Sequence, residues 1–167
     1  GIYTNRIIIP SYDVDNRLNY FIARSVFTEE KFKYKNPPVS KNVTIFENHI
    51  NWKKPITLCE GVFDAMSIKR NAIPLLGKFI PKTLMDSIYN KGVRDFKLVL
   101  DKDAQDQALY YVNYFMNNGI TVTNILPTEK DAGDMGFTKV NKILKETKNT
   151  GFEDIVSQKL QGLWYTF

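Results

Sequence analysis

From Ile56 onward, short apolar runs alternate with longer stretches of helical periodicity, and this restricts the chain more than any other feature. Residues 56–59, 73–76, 96–100 and 120–126 read as buried strands. Between and after them, helices are expected over about 62–71, 81–90, 104–118 and 138–148. Strands separated by helices of this length are joined by crossovers, which implies a mostly parallel sheet with helices on both faces. The expected class is therefore α/β and Rossmann-like. A small β-hairpin-containing subdomain precedes it: residues 6–10 and 18–23 are apolar, and Asp13-Val14-Asp15-Asn16 is turn material between them. One more short strand is expected over 43–46.

Carboxylates follow two of these strands. Glu60 follows the first, and Asp101 and Asp103 follow the run at 96–100. In a parallel sheet both carboxyl ends lie at one edge, where open α/β folds bind ligands. The loop over 128–136 adds Asp131 and Asp134. Carboxylates brought together without cations repel, and an oxygen-only donor set suits magnesium or manganese. Each acid also has an ordinary reading: Asp64 could favour a helix dipole, and Asp101 could cap the helix after it.

The charge is unevenly spread. Between Lys31 and Lys54 stand six lysines and one acid, Glu47, which accounts for the whole formal charge of +5. A basic stretch beside a neutral remainder suggests an anionic partner, nucleic acid first, although a solvated loop would look the same. The lone cysteine, Cys59, lies in an apolar strand and reads as a buried small hydrophobe. It leaves no internal disulfide and no cysteine-rich zinc site, and it fits a reducing interior. With His49 the sole histidine, a Ser-His-Asp triad has little to draw on. No G-x-G-x-x-G or P-loop pattern occurs. No apolar run reaches membrane-spanning length, and no cleavable signal is visible.

Two motifs match a known family. Cys59-Glu60-Gly61-Val62-Phe63-Asp64 resembles the E-G-x-x-D signature of the Toprim domain, and Leu100-Asp101-Lys102-Asp103 resembles its D-x-D signature. Toprim is shared by primases, topoisomerases, recombination mediators and some nucleases. The preceding segment narrows the choice. Asn5-Arg6-Ile7-Ile8-Ile9-Pro10, Asp13, Phe21-Ile22-Ala23-Arg24 and Lys33-Tyr34-Lys35-Asn36-Pro37-Pro38 are similar to the segment before Toprim in DnaG-type primases. Lys130-Asp131-Ala132 is similar to the K-D-A of phage primase–helicases. The family often has D-x-D in its last acidic motif, where this chain has Asp131-Ala132-Gly133-Asp134.

The resemblance implies three parts: a basic β-rich subdomain over 1–54, a Toprim domain over 55–136 and a C-terminal helical segment over 137–167. The implied activity is DNA-templated synthesis of short RNA primers by two-metal nucleotidyl transfer. Glu60, Asp101 and Asp103 would be catalytic and would hold Mg2+ or Mn2+ together with Asp131 and Asp134, and Asp64 would orient that set. Arg24, Lys33, Tyr34, Asn36 and Lys130 would face template, primer or nucleotide; for Tyr34, packing within the hairpin is the competing role. Implied partners are single-stranded DNA, ribonucleoside triphosphates and a replicative helicase, fused or separate. A membrane is not among them, and the expected location is the cytoplasm of a bacterial or phage-infected cell. Two other readings stay open: a Toprim nuclease using the same acids with water as nucleophile, and a non-catalytic nucleic-acid-binding module with a degenerate metal site.

Overall fold

Ile56–Cys59 is buried at every residue, and it forms an inner strand of the sheet. The computed structural model describes residues 1–129, 131–148, 154 and 157. Within them two strands, β1 (Arg6–Tyr12) and β2 (Leu18–Ser25), form an antiparallel hairpin. The α/β part follows as β3 (Ile56–Cys59), α1 (Val62–Ile68), β4 (Ala72–Pro74), α2 (Lys82–Asn90), β5 (Asp95–Val99), α3 (Gln105–Asn117), β6 (Thr121–Asn124) and α4 (Ala132–Glu146). The expected α/β class is therefore found, and every strand pairing in the four-stranded sheet is parallel. Among the described residues no helix is long and apolar enough to cross a membrane.

Alternation along the strands divides the sheet into two faces. Ile56, Leu58, Phe96, Leu98 and Val122 pack with Leu84, Ile88, Ala108, Val112 and Phe115 of α2 and α3. Cys59 and Val99 face the other way, against Ala65 and Ile68 of α1 and Val140 and Leu144 of α4. Lys97 lies on that second face, and its ammonium donates to the Leu144 carbonyl near the end of α4. The hairpin has its own small core of Ile9, Tyr20, Ile22 and Ile45, which closes on Val62 at the start of α1. That contact brings the hairpin to the strand ends where the acids lie.

The spatial order β4-β3-β5-β6 positions the site. The chain moves outward from β3 to β4, then returns across β3 to β5 and continues to β6. The winding reverses between β3 and β5, and such a reversal opens a crevice at the carboxyl ends of the two strands. Cys59 pairs with Val99 in register, so Glu60 and Asp101 emerge from neighbouring strands at one rim.

Three expectations are corrected. Residues 43–46 form no strand: the Phe46 amide donates to Ser11 Oγ at 2.9 Å, and Asn19 Nδ2 donates to the Thr44 carbonyl at 3.0 Å. Side chains, not a backbone ladder, dock this segment on the hairpin. Helix α1 ends at Ile68, short of residue 71, because Lys69 (φ 65°) and Asn71 (φ 53°) turn left-handed. Helix α4 starts at Ala132, within the expected loop, because Asp131 caps it; a kink at Gly136 (φ 68°) separates this first turn from the rest. Beyond residue 148 the helical segment expected over 137–167 falls outside the described residues, save 154 and 157, as does Lys130.

Candidate active site

Glu60 is the first residue past β3, and its Oε2 lies 3.4 Å from the Asp101 amide past β5. The two acids are thus neighbours, as the strand register requires. Gly61 then turns the chain into α1 with extended backbone (φ −119°). Its lack of a side chain matters for proximity: a Cβ there would stand 3.0 Å from Asp64 Oδ2. The Gly61 amide donates to that same oxygen at 2.8 Å.

Asp64 is 8% exposed, and both of its oxygens are used. Oδ2 takes the Gly61 amide, and Oδ1 takes the Gly133 amide at 2.7 Å. Its carboxylate holds the β3–α1 turn against the first turn of α4, which is more than a helix-dipole role. Asp131 caps α4 by accepting the Asp134 amide at 2.7 Å. Asp101 stands at the N-cap position of a single 3-10 turn (Lys102–Ala104), but its carboxylate makes no capping bond and stays directed to the cluster.

A cavity of about 360 Å3 brings Glu60, Asp64, Asp101 and Asp131 together. Its far wall is basic and polar, with Lys41, Tyr34 and Asn36 from the N-terminal segment. A neighbouring cavity of about 630 Å3 shares Asp64, Asp131 and Tyr34 and adds Arg24, Lys33 and Asp134. Asp103 is exposed on the 3-10 turn, outside both linings, and reaches the cluster through its charge on Glu60 and Asp101.

The cluster carries more negative charge than its surroundings neutralise. Burial first, then Glu60, Asp64, Asp131 and Asp103, push the Asp101 carboxyl up to about 7. Burial also raises Glu60, against the Asp101 amide, which lowers it. Asp64 is raised by burial in spite of its two amide donors. Among the described residues, no three acidic, histidine or cysteine side chains already stand together as a metal shell. The donor chemistry nevertheless fits a hard divalent cation: the donors are all carboxylate oxygens, and excess negative charge gathers at Asp101. Cys59, buried beneath, has its thiol pushed well up by burial and by these acids, which accords with an inert core residue.

The N-terminal residues are arranged by β2. The Ser25 amide donates to the Lys33 carbonyl at 2.8 Å, and the Lys35 amide to the Ala23 carbonyl at 2.9 Å. Arg24 and Tyr34 form an antiparallel bridge between these bonds. The Arg24 guanidinium lies 4.2 Å from the Phe63 ring centroid and 5.7 Å from that of Tyr34. Tyr34 is 48% exposed, leaving much of it open to the cavities. Asn36 has a structural task too, accepting the Ala23 amide at 3.3 Å.

Sequence reasoning missed Gln105, Lys69 and Phe137. Gln105 Nε2 donates to the carbonyls of Leu100 (3.0 Å) and Asp101 (3.1 Å), while its Oε1 accepts from Asn124 at 3.0 Å. It ties the end of β5 to β6. A glutamine in a helical first turn carries no local signal of this. Lys69 and Phe137 line the larger cavity, the Lys69 ammonium 4.5 Å from the ring centroid.

No family model matches the chain. Over 152 residues it is 28% identical to a DNA primase of Mycoplasma genitalium, covering 84% of this chain and 25% of that protein. Its structure resembles that of the Aquifex aeolicus primase (zinc-binding and RNA polymerase domains), with a TM-score of 0.74 and 17% identity over 98% of this chain and 45% of that one. It also resembles a DnaG primase catalytic domain bound to single-stranded DNA, with a TM-score of 0.73 and 16% identity over 95% of this chain and 56% of that one. The chain thus spans a quarter of the curated relative and about half of each solved chain, and the structural likeness is one of fold.

Proposed function

We propose that this chain is the RNA-polymerase core of a DnaG-type DNA primase, a cytoplasmic nucleotidyltransferase that joins ribonucleotides on a single-stranded DNA template. The observation that carries this reading is the meeting of Glu60 and Asp101 at the reversal between β3 and β5, across a cavity from Lys41, Tyr34 and Asn36 of the N-terminal segment. The sequence similarity to a DNA primase supports it, as does the fold shared with primase catalytic domains.

Glu60, Asp101 and Asp103 would hold magnesium or manganese, with Asp131 and Asp134 completing the set. Two such ions supply the Lewis acidity that favours in-line attack of a 3′-hydroxyl on a triphosphate. Asp64 positions this set by fixing the β3–α1 turn against α4. Gln105 positions Asp101 through its backbone carbonyl. Arg24, Lys33 and Lys130 would take phosphates, and Tyr34 would stack on a base. Asn36 keeps Tyr34 in place by tying its segment to β2. Ribonucleoside triphosphates are the substrates, and a replicative helicase, fused or separate, is the expected partner.

The test is magnesium-dependent dinucleotide synthesis on a single-stranded template. Wild-type chain should form product, and Asp101→Ala and Asp103→Ala should abolish it. Ribonucleotide-independent cleavage of the template would instead favour a nuclease. Wild-type rates from Asp103→Ala would remove that residue from the reaction.

A further inference from the structure

The cavity lined by Arg24 and Lys33 does not end at the carboxylates. Its outer wall is made by Lys69, at the end of α1, and by Phe137, just past the kink in α4. Phe137 also lines a second groove of about 450 Å3, along α4, with Arg70, Asn141, Lys142 and Lys145. One exposed ring thus joins the cavity in which Arg24, Lys33 and Lys69 face the acids to a cationic groove along α4, a single track leading away from the acids.

The local structure explains the continuity. Lys69 takes a left-handed conformation (φ 65°), so α1 stops there and consecutive cations serve different walls. Lys69 faces the cavity beside the acids, and Arg70 faces the α4 groove. Asn141 Nδ2 lies within 3.4 Å of the Ser67 carbonyl and 3.3 Å of the Ile68 carbonyl, which holds α4 against the end of α1. Thr138, Asn141, Lys142 and Lys145 fall on one face of α4 by the three-and-four spacing of a helix. Lys142 is partly answered by Glu146 at 4.0 Å, so Arg70 and Lys145 carry most of the groove's charge.

Charge and aromatic content select the occupant. The exposed rings of Tyr34 and Phe137 share the first cavity with Arg24, Lys33 and Lys69, Phe63 lies half-buried under the Arg24 guanidinium, and Arg70 stands in the second groove. Cations can take successive phosphates, and the exposed rings of Tyr34 and Phe137 can stack on unpaired bases, the combination that binds single strands. A duplex would leave the rings without bases to stack on.

We propose that the face formed by the end of α1 and by α4, from Lys69 through Phe137 to Lys145, is a binding track for single-stranded nucleic acid continuous with the carboxylate site. This rests on the reading that the carboxylates act on nucleic acid. The track extends the bound strand beyond the nucleotides that the hairpin and the acids can reach.

The test compares affinity for oligothymidylates of about 4 and about 16 nucleotides, a span covering common single-strand site sizes. For the wild-type chain the longer oligomer should bind much more tightly. In Arg70→Ala/Lys145→Ala the ratio of the two affinities should fall by roughly tenfold, and the salt slope for the longer oligomer should drop by about 0.7 for each lost phosphate contact. Lys145→Glu alone should give the same direction. Phe137→Ala should weaken the longer oligomer with no change in salt slope. All three sites are exposed, and thermal melting checks that each variant is folded. An unchanged ratio in folded variants overturns the track, even if primer synthesis is present. Absence of primer synthesis by the wild type bears on the proposed activity instead, and the length ratio reads the track separately.

Discussion

The carboxylate of Asp64 accepts the amide of Gly133 at 2.7 Å, joining residues 69 positions apart in the chain. Its other oxygen holds Gly61 at 2.8 Å. Asp64→Ala leaves two amide donors unanswered in a largely buried site, and an unsatisfied buried donor costs about 1–3 kcal/mol. Urea unfolding of Asp64→Ala should show a loss of that order or above. Asp64→Asn should lose less, since one oxygen remains. Equal stability for all three chains would mean that the bond does not anchor α4.

Gly133 is the counterpart of that contact. A Cβ there would stand 3.1 Å from Asp131 Oδ1 and 3.3 Å from Asp64 Oδ1. Gly133→Ala should therefore push both carboxylates apart by a few tenths of an ångström. The expected outcome is weaker manganese binding by calorimetry, with a smaller loss of stability than in Asp64→Ala. Unchanged metal affinity would show that the two acids tolerate the shift.

Asp101 supplies a pH dependence of known sign. Its carboxyl is raised from 3.8 to about 7, by burial first and then by four neighbouring acids. Between those values the folded chain keeps a proton that the unfolded chain has released, so stability falls as pH rises. Glu60 and Asp64 shift in the same direction. With metal chelated, the chain should be more stable near pH 5 than near pH 8, by about 1–2 kcal/mol once solvent screening is allowed for. Asp101→Asn should flatten that slope, and magnesium should restore stability near pH 8 more than near pH 5. Thermal melts across pH decide the matter: a wild-type curve that rises with pH in chelator contradicts it.

The hairpin, the strand–helix alternation and the acids past β3 and β5 were legible because each rests on local sequence: periodicity, turn residues and strand ends. The meeting of Glu60 with Asp101 followed once parallel pairing was assumed. The start of α4 was not legible. Gly133 and Gly136 look like loop residues, and the cap at Asp131 works through a short polar turn. Residues 43–46 have strand composition, yet their polar partners, Ser11 and Asn19, lie on the distant hairpin. The same limit hid Gln105, Lys69 and Phe137, whose roles come from contacts between elements far apart in the chain.

Gln105 offers a test of positioning without touching a carboxylate. It bonds the Leu100 and Asp101 carbonyls and accepts from Asn124. Gln105→Ala releases the turn that carries Asp101 and Asp103. Primer synthesis should fall by about tenfold or more, through kcat rather than KM for nucleotide, as expected when geometry at the reacting groups loosens. Gln105→Glu keeps the acceptor and loses the donor, so it should not rescue the rate. A change confined to KM would point to a role in nucleotide binding instead.

Arg6 controls the basic loop from beneath. Its side chain is 6% exposed, and its guanidinium meets Glu30 at 3.1 Å, the Phe32 carbonyl at 3.1 Å and the Lys33 carbonyl at 3.2 Å. Those bonds hold β1 to the segment that presents Lys33 and Tyr34. Arg6→Met keeps the aliphatic stem and removes every one of them, so residues 28–35 should exchange amide hydrogens and be cut by trypsin faster, while the sheet keeps its protection. Template affinity should fall with the loop. Lys33→Ala should also weaken binding and lower the salt slope by about 0.7, with the loop still protected. Wild-type protection in Arg6→Met would show that pairing of Lys33 and Lys35 with β2 holds the segment unaided.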